Sequence, residues 1–177
     1  KIKLAAPTGK AAARMQESIL AQTDKLQPDE FSGVEIPTEA STIHRLLGYA
    51  SSGQGFKYDK SNPLNCDVLV IDEASMIDLD LMARVIDVLD EEKSTLIMIG
   101  DADQLPPVGS GQLFCDLLKN PGIKSLRLTE NFRQSDGSGI IDAAGSVIAG
   151  RTPDLTHIVK ENGFTFIERA DDQEILA

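Results

Sequence analysis

Two short aliphatic runs, each ending in polar groups, constrain this chain more than any other feature. Val68-Leu69-Val70-Ile71 runs straight into Asp72-Glu73, and Leu96-Ile97-Met98-Ile99 runs into Gly100-Asp101 one β/α unit later. An apolar run without polar alternation is buried on both faces, and burial on both faces belongs to parallel strands covered by helices. Both runs therefore predict central strands whose tips deliver carboxylates to the crevice where α/β sheets bind ligands.

The rest of the chain fits the same plan. Strands are expected over residues 2–5, 67–71, 95–99, 125–128 and 164–168, separated by helical patterns. Leu81, Met82, Val85, Ile86 and Leu89 recur at helical spacing behind an Asp78 or Asp80 cap. A further helix over residues 110–119 is stopped by Asn120-Pro121-Gly122, and another over 139–149 ends at Gly150. Residues 49–65, rich in Gly and Ser, predict an exposed loop or weak hairpin. Lys1 lies at the start of a strand pattern without Met, and Asp171 with Glu174 forms a capping box at the far end, so the sequence is expected to be internal to a longer protein.

Composition excludes several classes. The apolar runs are too short to span a bilayer and no signal-peptide core is present near the start, so a cytoplasmic protein is expected. Two Cys and two His are too few and too scattered for a zinc site, so a metal would be held by oxygens. Cys66 and Cys115 are expected as reduced thiols filling apolar space. The net charge of −11 argues against a polyanion partner in bulk, although residues 1–26 hold Lys1, Lys3, Lys10, Arg14 and Lys25 against Glu17 and Asp24.

The chemistry is concentrated at the predicted strand tips. Asp72 and Glu73 leave the strand in different directions, so one can hold Mg²⁺ while the other orients or deprotonates a water. After Gly100-Asp101, the stiff Gln104-Leu105-Pro106-Pro107 segment presents an amide that can sense a γ-phosphate or the attacking water. Arg133 follows the strand expected at 125–128, and a guanidinium against a transferring phosphoryl group is worth ~10³–10⁵ in rate. Alone, each of these has a plainer explanation, as a turn or a surface ion pair. Ala6-Pro7-Thr8-Gly9-Lys10-Ala11-Ala12 is not a nucleotide-binding P-loop, because the first Gly of that motif would fall at Leu4 and its hydroxyl at Ala11. It remains a strand, turn and helix start suited to one backbone phosphate, and Ser41-Thr42-Ile43-His44-Arg45 offers a second helix start with hydroxyls.

In this order the segments resemble the first motor domain of superfamily 1 DNA helicases of the RecD branch, the alpha subunit of exonuclease V and its stand-alone relatives. Asp72-Glu73-Ala74-Ser75 looks like the Walker B motif, and residues 100–108 look like the Gly-Asp-x-x-Gln-Leu-Pro-Pro-Val motif. Residues 128–134 are similar to the motif supplying a γ-phosphate arginine. Residues 6–12 and 41–48 resemble two single-strand-contacting segments. The resemblance implies an α/β, RecA-like P-loop NTPase fold with a mainly parallel sheet. It makes Asp72 the Mg²⁺ ligand, Glu73 the water-activating group, and Gln104 and Arg133 the γ-phosphate contacts. Thr8, Lys10, Thr42 and His44 become the contacts to single-stranded DNA.

The implied activity is ATP-driven 5′-to-3′ translocation and unwinding in recombination and repair, with RecB-like and RecC-like subunits as possible partners. Residues 1–134 would belong to the first motor domain and 135–177 would lead toward the second. The Walker A loop and its strand are expected upstream of Lys1, between the strands ending at Ile99 and Leu128. Without that loop the polypeptide alone is expected to be inactive. The strands ending at Ala5, Ile71 and Ile99 should stay contiguous, and the fourth should close the gap or recruit another chain, making dimerisation through the sheet edge plausible.

Two rivals were weighed. A phosphoacceptor receiver domain needs acidic residues after its first strand, where this chain has Pro7-Thr8-Gly9-Lys10. A non-catalytic DNA-binding or subunit-interaction module would have no need for the residues at 72, 73, 104 and 133.

Overall fold

The computed structural model describes residues 1–23, 25, 35–50, 55–128 and 139–153. The chain divides into two compact units, Lys1–Ser125 and Leu126–Ala177. The first holds a four-stranded parallel sheet in the order β2-β1-β3-β4, formed by β1 (Ile2–Ala6), β2 (Ala40–Thr42), β3 (Val68–Ile71) and β4 (Thr95–Met98). The strands expected at 2–5, 67–71 and 95–99 are these β1, β3 and β4, contiguous as anticipated. Helices α1 (Gly9–Thr23), α2 (Ile43–Leu46), α3 (Leu79–Asp87) and α4 (Leu113–Leu118) lie in the same unit.

The run of β3 buries one face and half-buries the other, whereas β4 stands at the end of the sheet with Ile97 45% exposed, so the expected burial on both faces is corrected for β4. Leu69 and Ile71 of β3 are fully buried with Met82, Val85 and Val88 from α3 and its C-cap, in a cluster that also takes Ala5, Ile43, Leu47 and Phe114. Burying a side chain of this size contributes about 1.5–3 kcal/mol, so this cluster is the main stabiliser of the unit. Leu4, Ala6, Ala12 and Met15 are buried outside that cluster, on β1 and on α1, which packs over β1 and β2. The sheet is thus covered on both sides at β1, as a parallel sheet requires. Helix α3 starts where expected: Asp78 caps it, its Oδ1 accepting from Leu81 N at 2.9 Å.

Four expectations are corrected or refined. Residues 125–128 form no strand; Leu126 and Leu128 stay 87% and 83% exposed, and a run that alternates apolar and polar groups is a strand only when a partner covers its apolar side. The strand expected there is therefore not formed. The helix start expected from Ser41 is α2, capped by Thr42, and the residues leading into it, Ala40–Thr42, also pair with β1 in the register Leu4↔Ala40 to Ala6↔Thr42. Helix α4 begins at Leu113 rather than 110, because Gly111 sits at φ +88, outside any right-handed helix, and Ser110 O is taken by Leu79 N at 2.9 Å. In residues 49–65 short bridges join Ala50 to Gly55 and Asp59 to Asn62, and Leu64 and Cys66 beyond them are buried.

In the second unit the described structure is α5 (Gly139–Ile148), followed by Gly150 at φ +68. The strand expected at 164–168, the capping box at Asp171 and His157 lie outside the described residues.

Candidate nucleotide and single-strand site

Because all four strands run parallel, their C-terminal ends share one edge. Chain order places β2 on one side of β1 and β3 on the other, so the sheet reverses direction between β1 and β3. Ligands of open α/β sheets bind at that kind of reversal. Along the edge come Thr42 and His44 after β2, Thr8 and Lys10 after β1, Asp72 and Glu73 after β3, and Asp101 and Gln104 after β4. With neighbouring strands about 4.8 Å apart, the row from β2 to β4 spans roughly 14 Å.

The exit from β3 is held by backbone bonds on both sides. Asp72 N donates to Ala5 O at 3.0 Å, and Ala74 N donates to Ile99 O at 2.8 Å. Asp72 Oδ1 accepts from Glu73 N at 2.8 Å, which fixes the carboxylate plane; among the described residues Oδ2 takes no bond. Glu73 has φ 52 and ψ 39, in the left-handed region that bulky residues avoid. It is the one non-glycine at positive φ among the described residues, and such strain persists where surrounding bonds over-determine it. Here the bonds at Asp72 N and Ala74 N do so.

The loop after β4 is clamped onto the same exit. A Cβ at Gly100 would lie 3.0 Å from Ser75 N and 3.2 Å from Ala74 N, so only glycine lets β4 leave the sheet this close to the turn Ala74–Met76. A Cβ at Gly109 would lie 2.2 Å from Asp78 Oδ2. Between these anchors, Asp101 organises the tip: its Oδ1 accepts from Asp103 N at 3.0 Å and its Oδ2 from Gln104 Nε2 at 3.4 Å. The structure thus brings Asp72, Glu73 and Gln104 to one clamped corner. Arg133 lies outside the described residues.

At the other end, the hydroxyls act as helix caps. Thr8 Oγ1 accepts from Ala11 N and Thr42 Oγ1 from Arg45 N, each at 3.2 Å. A capping hydroxyl still has its own hydrogen to donate, so both remain competent toward a phosphate oxygen. Lys10 is exposed. His44, also exposed, stands against Tyr49 at 5.8 Å and Phe56 at 6.1 Å between ring centroids, and the Arg84 guanidinium lies 4.7 Å from the Phe56 ring. Sequence reasoning missed Tyr49 and Phe56, because they come together across the 49–65 segment. The signal was their rarity in a chain with two Tyr and six Phe.

These residues fit Mg²⁺ and a nucleotide in part. Mg²⁺ usually takes one or two carboxylates and leaves the remaining positions to water and phosphate, which suits Asp72; no cluster of three His, Cys, Asp or Glu suited to a metal occurs among the described residues. Residues 6–12 do not form a phosphate cradle, since the Ala11 and Ala12 amides are already engaged by Thr8. No helix among the described residues is long and apolar enough to cross a membrane.

Comparison with known proteins adds four findings. Residues 1–110 match the family model described as an AAA domain. The RecBCD enzyme subunit RecD of Mycolicibacterium smegmatis is 37% identical over 163 residues, covering 84% of this chain and 28% of that protein. The ATP-dependent RecD2 DNA helicase of Deinococcus radiodurans is 33% identical over 170 residues, covering 92% of this chain and 21% of that protein. The chain thus spans under a third of the length of these relatives. A solved structure of Pif1 helicases at forked double-stranded DNA shares the fold, with a TM-score of 0.52 at 22% identity over 87% of this chain and 39% of that one.

Proposed function

Because the chain belongs to the AAA domain family and, within it, to the RecD type of superfamily 1 helicase, we propose that it serves ATP-driven movement along single-stranded DNA, hydrolysing at the β3–β4 corner and gripping the strand at the β1–β2 end. The observation that supports this most is the single parallel edge on which both residue sets stand, with the loop after β4 clamped to the exit of β3. The bound Mg²⁺–ATP supplies the phosphoanhydride bond and the positive charge that neutralises its oxygens.

The chain's own residues do the rest. Asp72, its Oδ1 bonded to Glu73 N, would hold Mg²⁺. Glu73 takes the proton of the attacking water or orients it. Gln104 reports the γ-phosphate to the loop, and Arg133 adds a guanidinium to the same group. Residues outside 6–12 provide the phosphate cradle. Thr8, Lys10, Thr42 and His44 hold successive phosphates or sugars of the strand, and their bonds shift as the loop after β4 responds to the nucleotide. The setting is cytoplasmic DNA recombination and repair, in a protein that works alone or with RecB-like and RecC-like subunits.

The test is DNA-stimulated ATP hydrolysis by a protein containing this chain. Glu73→Gln should lower kcat at least ~100-fold, the range for loss of a general base, while ATP still binds. Hydrolysis at the parent rate would refute the assignment.

A further inference from the structure

Between the turn Ala74–Met76 and the loop after β4 lies a cavity of about 40 Å³, lined among others by Ser75, Ala102, Gln104, Gln112, Phe114 and Cys115. Ser75 is only 6% exposed, yet its hydroxyl has no protein partner, the one such buried side-chain group among the described residues. A buried, unpaired hydroxyl is costly, and an alanine in its place would not be. A water needs roughly 10–15 Å³ of space of this kind and two to four polar partners. The cavity has the space, and Ser75, Gln104 and Gln112 among its lining residues carry polar groups of the kind that a water needs.

We propose that Ser75 is a positioning residue for Gln104, its hydroxyl tying the 102–107 loop to the exit of β3 through one water held in this cavity. The tie rests on the reading of Gln104 given above. It links the two halves of the corner at a point the backbone bonds do not reach: Asp101 holds Gln104 only from within its own loop, through an exposed 3.4 Å contact. Ser75 touches neither nucleotide nor metal and acts through the loop alone.

The test uses a protein containing this chain and reads the alkylation rate of individual thiols by mass spectrometry. Cys115 lines the cavity and leans on Ala102 O at 3.7 Å, so it reports the loop. Cys66 is buried in the main cluster and reports the whole unit. Ser75→Ala should speed Cys115 alkylation about five-fold, the effect of one ordinary hydrogen bond, and leave Cys66 unchanged. Ser75→Thr keeps the hydroxyl and should leave Cys115 at the parent rate. In DNA-stimulated hydrolysis, Ser75→Ala should lower kcat and leave KM for ATP within two-fold. An unchanged Cys115 rate, a Cys66 rate that rises in step, or equal acceleration by both variants would overturn the proposal. Gln104→Ala separates the two readings: if it leaves hydrolysis untouched the role of Gln104 falls, whereas the thiol rates test the Ser75 tie independently.

Discussion

Replacing Glu73 by glycine should make the protein more stable and destroy its activity. The backbone at Glu73 has φ 52 and ψ 39, held there by Asp72 N on Ala5 O and Ala74 N on Ile99 O. A residue with a Cβ in that region gives up roughly 1–2 kcal/mol against the right-handed alternative, and glycine does not. Glycine loses more chain freedom on folding, which costs about 0.5–1 kcal/mol. The balance favours Glu73→Gly over Glu73→Ala by about 0–1.5 kcal/mol, and alanine is the proper reference because both variants lack the carboxylate. Urea titration read by pulse proteolysis within residues 1–125 measures the difference, and DNA-stimulated ATP hydrolysis should be lost in both. If alanine proves more stable than glycine, the left-handed geometry is not what holds this corner, and the argument that strain was kept there for function fails.

Other outcomes follow from the same contacts. Gly109→Ala should drive a methyl into Asp78, 2.2 Å from its Oδ2, and lose about 0.5–2 kcal/mol with the α3 cap; in an Asp78→Ala background the same change should cost far less, and denaturation midpoints of the four proteins decide it. Leu69→Ala in β3 removes a fully buried side chain and should cost about 2–5 kcal/mol in the same assay. Burial pushes the Cys66 thiol above its ordinary value of 9.0, so the fold favours its protonated form; stability should be full below that value and fall as the pH climbs through it toward the raised value, a loss that Cys66→Ala removes from melting curves taken at rising pH. Lys10→Ala should weaken binding of single-stranded DNA evenly across sequences and flatten the salt dependence by about 0.7 in log–log slope, as for one lost phosphate contact.

The parts of the fold legible in the sequence were those whose signal is local. Val68-Leu69-Val70-Ile71 reads as a strand from its own residues, and an Asp at 78 or 80 reads as the cap of the pattern that follows; the structure takes Asp78. Ala40-Ser41-Thr42 carries no such signal and becomes β2 because β1 offers it a ladder. Residues 125–128 show the converse, an alternating pattern that forms no strand. At the site, the sequence revealed which polar groups leave the strand tips but not what orients them. The left-handed turn at Glu73 has no local cause, since glutamate does not favour it; bonds from two neighbouring strands impose it. Gly100 and Gly109 matter for what lies across from them, Ser75 and Asp78, and that proximity is tertiary. The grouping of His44 with Tyr49 and Phe56 is invisible for the same reason.

The central claim is that the acid after β3 and the amide after β4 serve one reaction at one corner, Glu73 on the attacking water and Gln104 on the γ-phosphate that it attacks. A double-mutant cycle on ATP hydrolysis tests it most directly, using the mild variants Glu73→Asp and Gln104→Asn in a protein containing this chain so that every rate stays measurable. Groups that hold the two partners of one bond-forming step should be coupled by about 0.5–3 kcal/mol, the double variant losing less than the two single losses combined. Strict additivity would mean that Glu73 and Gln104 work apart, and would contradict the site described here.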